Sequence, residues 1–245
     1  MIVTTNNTNY ALRGSVISFK LEDNMQLECD DEGIVISDNS VIITNNAPSN
    51  FTINCVSEKI EISFNYIVVE SIKDNKLMLV NLYNEVDDEI ERKINLGYFM
   101  GKRVSTRIIP DLKELIIDAY KNEIYLYVDS AYRSHKHQKI VYEKYKNRAI
   151  EPGKSEHETG LAIDLLWGGS QSVEERENSK EYKWLINNCM KYGFILRYPK
   201  GKKRITGINF EPWHFRWIGK EYAKEYHESN CDIFEEFVSS KYLDL

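Results

Sequence analysis

Long apolar runs are missing from this 245-residue sequence, as is any C-x-x-C pair among its four cysteines. No stretch approaches the roughly 20 apolar residues of a membrane-spanning helix, so none of it reads as a membrane span. Without paired cysteines, a structural zinc knuckle built on thiolates is disfavoured. Cys29 and Cys55, both in the strand-rich N-terminal part, are either a disulfide or two small, partly buried thiols. Cys189 and Cys231 read as packed helix residues. Prolines number only five, and 42% hydrophobic with 29% charged residues is ordinary, which excludes collagen-like and disordered classes. Lys and Arg nowhere cluster over a face, so a nucleic-acid partner is not expected. The first residues, Met1 to Asn7, lack a basic segment followed by an apolar one. A protein that stays inside the cell and one whose leader has been removed are both compatible with that start.

What is present is unevenly distributed. The net charge of −6 sits almost wholly in residues 1–70, which carry three basic and ten acidic side chains. No histidine occurs before His135. Residues 1 to about 70 read as all-β. Alternating runs such as Val16–Leu21, Gly33–Ser37, Ser40–Thr44, Phe51–Val56 and Ile60–Phe64 are separated by Asn, Asp, Ser and Gly turns. Roughly five to seven strands in a small sandwich or roll are expected. A polar turn at residues 71–78 then separates this module from the rest, giving an all-β domain over 1–72 and a second domain over 73–245. The second reads as α+β. A strand is expected over 77–81, a helix from Pro110, a strand over 124–128, a helix from His135 to Lys146 and a strand over 161–166. A polar surface loop at 170–180, a helix from Lys183 to Tyr192 capped by Gly193, and a helix from Lys220 follow. Helices packed on a central antiparallel or mixed sheet are the expected architecture.

Two knots carry chemistry. In Ser155-Glu156-His157-Glu158-Thr159-Gly160-Leu161-Ala162-Ile163-Asp164, a polar loop enters an apolar strand that Asp164 interrupts. A carboxylate there is costly to bury unless something cationic meets it. Fifty residues later stands Glu211-Pro212-Trp213-His214. His157, Asp164 and His214 make a three-ligand set for one zinc ion, the fourth position staying open. Glu211, three residues before a ligand, is placed to move protons as general base. Arg133 follows a strand, and its planar fork suits a carboxylate. Gln138, just over one helical turn on, could face the same pocket. Ser155 either donates to the substrate or braces its loop, and Trp213 either walls the pocket or is core. His135 and His137 read as solvated helix residues, with a place at the pocket the alternative for His135, two residues from Arg133. The basic turn from Arg197 to Arg204 reads as a solvated hairpin, with contact to an anionic polymer the alternative.

The motifs Ser-Ala-Tyr-Arg-Ser (130–134) with Gln138, Pro-Gly-Lys-Ser-Glu-His-Glu-Thr-Gly-Leu-Ala-Ile-Asp (152–164), Gly-Phe-Ile-Leu-Arg-Tyr-Pro (193–199) and Ile-Asn-Phe-Glu-Pro-Trp-His-Phe-Arg (208–216) resemble the VanY-like D-alanyl-D-alanine carboxypeptidases. These belong to the wider lysostaphin-type, VanX and Hedgehog-like zinc group. The resemblance covers roughly 77–220. It implies an α+β fold, one zinc ion, and removal of the terminal D-alanine from peptidoglycan stem peptides, D,D- or L,D-. By position it implies His157, Asp164 and His214 as ligands and Glu211 as base. It implies Arg133, Gln138 and Ser155 as the set for the terminal carboxylate, with Tyr198 and Trp213 near the substrate. Ala131 stands where the family usually has Gly, and the segment between Gln138 and Pro152 is short for the group. A wall substrate implies an extracytoplasmic or wall-associated protein, against the absence of a leader in this chain. Two other readings compete: a peptidoglycan endopeptidase of the same zinc group, and a non-catalytic, zinc-stabilised wall-binding module.

Overall fold

The computed structural model describes residues 2–243 apart from 23, 59, 70–74, 87, 147–148 and 169–171. The chain forms two compact units. One comprises Met1–Asn84, Arg204–Gly207 and Asp232–Leu245; the other comprises Glu85–Lys203 and Ile208–Cys231.

The first unit is built on seven strands: β1 (Ile2–Leu12), β2 (Val16–Ser18), β3 (Gln26–Glu28), β4 (Ile34–Ser37), β5 (Ser40–Ile43), β6 (Asn50–Val56) and β7 (Glu61–Val69). They make a four-stranded sheet in the order β1-β7-β6-β3 and a three-stranded sheet in the order β2-β5-β4. All neighbours are antiparallel except β1 and β7, which run parallel. The period-2 pattern decides the faces: Phe51, Ile53 and Cys55 on β6 are buried against Leu27, Val41, Ile43, Tyr66 and Val68. Cys29 and Cys55 are free thiols rather than a disulfide.

Residues 71–74 of the turn expected around 71–78 lie outside the described residues. The strand expected over 77–81 does not form. A 3-10 turn, Asn75–Leu77, leads instead to an isolated bridge between Asn81 and Asn84. Leu77, Leu79 and Val80 are buried, but the two asparagines take the local backbone groups. Asn81 Oδ1 accepts from Tyr83 N–H at 2.9 Å, and Asn84 Nδ2 donates to the Leu79 carbonyl. Side-chain competition of this kind favours turns over ladders.

The second unit carries α1 (Asp88–Lys93), the hairpin β8 (Leu96–Phe99) and β9 (Lys102–Ser105), α2 (Ile109–Lys121), β10 (Tyr127–Ser130), α3 (His135–Tyr145), β11 (Ala162–Leu166), α4 (Val173–Asn178), α5 (Lys180–Asn188), β12 (Phe194–Leu196), β13 (His214–Trp217) and α7 (Lys220–Glu228). A short α6 (Lys203–Thr206) begins at its boundary, and α8 (Phe234–Leu243) belongs to the first unit. Cys231 lies between α7 and α8 rather than within a helix. The central sheet is antiparallel, in the order β10-β11-β13-β12. One core joins it to the helices, through Leu112, Leu115 and Ala119 of α2, Leu185 of α5, and Ile163, Leu165, Trp167, Phe194 and Phe215 along the strands. The fold class is therefore α+β, as expected. Residues 173–178 form a helix where a loop was expected over 170–180. Ser172 and Glu175 make a reciprocal capping box there, which offsets the weak apolar pattern of Val-Glu-Glu-Arg-Glu-Asn.

Candidate metal centre

The central sheet brings the two distant knots together through its register. Asp164 on β11 lies directly opposite His214 on β13. Directly opposed residues in an antiparallel pair hold their Cβ atoms about 5 Å apart, so the pairing alone makes neighbours of residues fifty apart in sequence. His157 reaches the same point from a buried 3-10 turn, Glu156–Thr159, closed by Gly160 in the left-handed region at φ +70°. A Cβ at Gly160 would lie 3.3 Å from both Ile94 and Ser105. The position therefore needs glycine for conformation and for space.

Donor atoms of His157, Asp164 and His214 all lie within 4.8 Å of one another. His157 Nδ1–H donates to the Ala131 carbonyl at 2.7 Å, which turns Nε2 to within 3.2 Å of Asp164 Oδ2. His214 Nδ1 is 3.0 Å from Asp164 Oδ1, while its Nε2 faces Glu156 Oε2 at 3.6 Å. His157 thus has one nitrogen held from behind and the other aimed at a carboxylate, the arrangement that holds a ligating histidine in one tautomer. Burial would raise the Asp164 carboxyl, but His157 and His214 hold it well below the usual range. Burial also lowers His157. His214 goes the other way: burial disfavours its charge, yet Asp164 and Glu156 raise it to about 9. The point between the rings is thus strongly favourable to a cation. Two imidazole nitrogens and a carboxylate fit zinc, which takes neutral N and anionic O donors and keeps a position open in catalytic sites.

Glu211 stands at the rim, 27% exposed, with Oε2 3.7 Å from His214 Nδ1. Burial pushes its carboxyl up to about 7 against the pull of His214 and Arg133. Arg133 comes from the segment after β10. Its Nη1 donates to Gln138 Oε1 at 2.9 Å and its Nη2 lies 4.0 Å from Asp164 Oδ2. Its Nε is buried without a partner among the described residues. Gln138 is fully buried, its amide Nε2 donating to the Ile150 carbonyl at 2.6 Å; it holds Arg133 from behind. Ser155 is buried, Trp213 half-buried, and Tyr198 buried with its ring centroid 4.8 Å from that of His214.

Several groups that shape the site lie outside the residues singled out from sequence. Glu156 is fully buried, and its Oε1 accepts from Arg197 Nε and Arg216 Nη1, both at 2.8 Å. Arg197, expected in a solvated basic turn, is instead fully buried. Burial would raise Glu156, but the two guanidiniums hold it far below the ordinary range. One signal could have found Arg216: like Asp164, it is a charge inside an apolar strand, His-Phe-Arg-Trp. His135 is exposed on α3 as expected, yet its Nδ1 lies 2.9 Å from the buried Glu158.

The model of the family described as D-alanyl-D-alanine carboxypeptidase, VanY, matches residues 101–220. A D-alanyl-D-alanine carboxypeptidase of Enterococcus faecalis is 36% identical over 188 residues, 67% of this chain and 66% of that protein. The Enterococcus gallinarum protein named bifunctional D-Ala-D-Ala dipeptidase and D-Ala-D-Ala carboxypeptidase VanXYC is 33% identical over 133 residues, 44% of this chain and 68% of that one. The chain spans between 48% and 66% of the length of the first three curated relatives it matches. Among solved structures, a mutant of the vancomycin resistance D,D-pentapeptidase VanY in complex with Zn(II) superposes with a TM-score of 0.58 at 32% identity, covering 66% of this chain and 98% of that one. VanYB in complex with D-alanine-D-alanine gives 0.60 at 31% identity, covering 69% and 99%. Among the described residues no helix is long and apolar enough to cross a membrane.

Proposed function

Because the chain belongs to the VanY family of D-alanyl-D-alanine carboxypeptidases, we propose that it is a zinc carboxypeptidase that removes the terminal D-alanine from peptidoglycan stem peptides. The observation that carries this reading is the convergence of His157, Asp164 and His214 on one point, with Glu211 and Arg133 beside it. His157 through Nε2, Asp164 and His214 through Nδ1 would hold one zinc ion. That ion would supply Lewis acidity for activating water and polarising the scissile carbonyl.

The chain's own groups do the rest. Arg133 presents its guanidinium to the terminal carboxylate of the peptide, and Gln138 keeps the fork in place. Fixing that end sets the last peptide bond at a constant distance from the metal centre. Glu211 takes the proton of the attacking water on a carboxylate oxygen and delivers it to the departing amine of alanine. A carboxyl pushed up by burial, in a site at the protein rim, is suited to carrying a proton near neutral pH. Tyr198 packs against His214, and Glu156, itself held by Arg197 and Arg216, faces its far nitrogen. A wall-peptide substrate also means that the enzyme works outside the cytoplasm, which is part of this proposal.

Mass spectrometry of products from synthetic tetrapeptide and pentapeptide stems, with and without a chelator, tests the reading. Chelator-sensitive loss of a single alanine is expected, and the stem that reacts assigns L,D- or D,D-specificity. Both stems left intact by zinc-loaded protein would contradict it.

A further inference from the structure

Glu158 follows a candidate ligand in sequence, yet both of its carboxylate oxygens are engaged elsewhere. Its side chain is only 4% exposed. One oxygen accepts from Gly153 N–H at 2.7 Å, and the other faces His135 Nδ1 at 2.9 Å. A buried carboxylate is stable only when its oxygens are met in this way. The two donors come from different segments. Gly153 belongs to the turn that leads into Ser155 and His157, and its carbonyl is itself tied to Val86 N–H at 2.6 Å. His135 opens α3, two residues after Arg133 and one turn before Gln138.

Three other ties run between those segments: Gln138 Nε2 to the Ile150 carbonyl, Arg133 N–H to the His157 carbonyl at 3.1 Å, and Tyr142 O–H to Glu151 Oε1 at 3.4 Å. Of the two made by a pair of side chains, Glu158–His135 is the shorter, and only its carboxylate is buried. It fastens the start of α3 onto the ligand-bearing turn. His135 itself is half-exposed, 52% at the side chain, so it fills no hole in the core.

We infer that Glu158 and His135 are positioning residues that set the distance between the Arg133 guanidinium and the metal centre. The inference rests on the proposed role of Arg133 in gripping the terminal carboxylate. A peptide anchored by that carboxylate presents its last amide bond at a fixed reach, and a displacement of about 1 Å in such a site is costly to the reaction. The pair therefore acts on how well a carboxylate-terminated peptide is held. Metal binding, which uses His157, Asp164 and His214, is left intact.

The experiment compares zinc-loaded wild type with His135→Ala, His135→Gln, Glu158→Ala and the His135→Ala/Glu158→Ala double variant. It reads kcat and KM on whichever stem the wild type cleaves, bound zinc, and amide exchange at Arg133 and Gly153. Loss of one part-buried hydrogen bond to a carboxylate should raise KM about tenfold in His135→Ala, with kcat within about twofold and zinc content unchanged. His135→Gln, which keeps a side-chain N–H donor, should recover most of that loss. The double variant should be no worse than Glu158→Ala alone, because the two act as a unit. Gly153 and Arg133 amides should exchange faster in His135→Ala. An unchanged KM in both His135→Ala and Glu158→Ala overturns the inference, as does a fall in kcat that tracks zinc loss. If the wild type leaves every stem intact, the functional reading fails by itself. Amide exchange then decides this inference separately: unchanged protection at Gly153 and Arg133 in His135→Ala overturns it.

Discussion

At the scale of single residues, the site is a set of charges that each meet a partner. Arg133 is the clearest case for a specific outcome. If it grips the terminal carboxylate, Arg133→Ala should lower kcat/KM on a free-acid stem by about 10- to 100-fold, the worth of a charge-assisted hydrogen bond. The same change should matter little for a peptide amidated at its C-terminus, and equal losses on both would remove that role from Arg133. Arg197 makes a structural prediction. Removing one guanidinium leaves part of the buried Glu156 charge uncompensated, so Arg197→Ala should cost about 3–5 kcal/mol in urea unfolding. Lys200→Ala, whose Glu177 pair is exposed, should cost less than about 1 kcal/mol. Cys189 supplies a chemical check on packing. The side chain is 5% exposed and burial pushes its thiol up to about 12, so it should resist a thiol reagent in the native protein and react after denaturation. The ligand and base candidates were legible in the sequence because each sits in a compact knot with His beside Gly or Trp. Glu156 and Arg197 were not, because each is buried against a partner 41 residues away, and no local pattern records that.

At the scale of elements, register and turn geometry carry the site. The strand expected over 161–166 matches β11, and its pairing with β13 is what sets Asp164 against His214. Helices α2 and α3 also fall close to their expected spans, since each has a clear apolar face or cap, while α5 starts at Lys180 rather than Lys183 and gives way to a 3-10 turn, Cys189–Tyr192, before Gly193. The failures were local contests. Residues 77–81 have a strand's apolar content without a partner strand, and residues 173–178 have a loop's polarity with a helix's capping box. Turn glycines give the prediction at this scale. Gly193 has φ +81°, and a Cβ there would lie 2.8 Å from the Gly219 backbone; Gly201 has φ +80° with nothing within 4 Å. Gly201→Ala should therefore cost only the left-handed penalty, about 1–2 kcal/mol. Gly193→Ala should cost clearly more, and equal costs in chemical denaturation would show that the close approach to Gly219 is unimportant.

At the scale of the whole molecule, the chain is two units whose sequence boundaries interleave. The strand-rich N-terminal part was visible from its period-2 runs and turn residues. The inclusion of Arg204–Gly207 and Asp232–Leu245 in the same unit was not, because a helix such as α8 carries no local mark of which core will bury Phe234, Phe237 and Val238. A ligand that binds only the folded state stabilises it by mass action. Zinc at a hundred times its dissociation constant should add about 2.7 kcal/mol, so chelation should lower the melting temperature by roughly 5–10 °C. The measurement that bears most directly on the account reads zinc content and turnover together in wild type, Glu211→Gln and His157→Ala. Glu211→Gln should keep full zinc and lose turnover by about 10²–10⁴-fold, while His157→Ala loses both. A Glu211→Gln variant that still releases alanine at the wild-type rate would contradict the account.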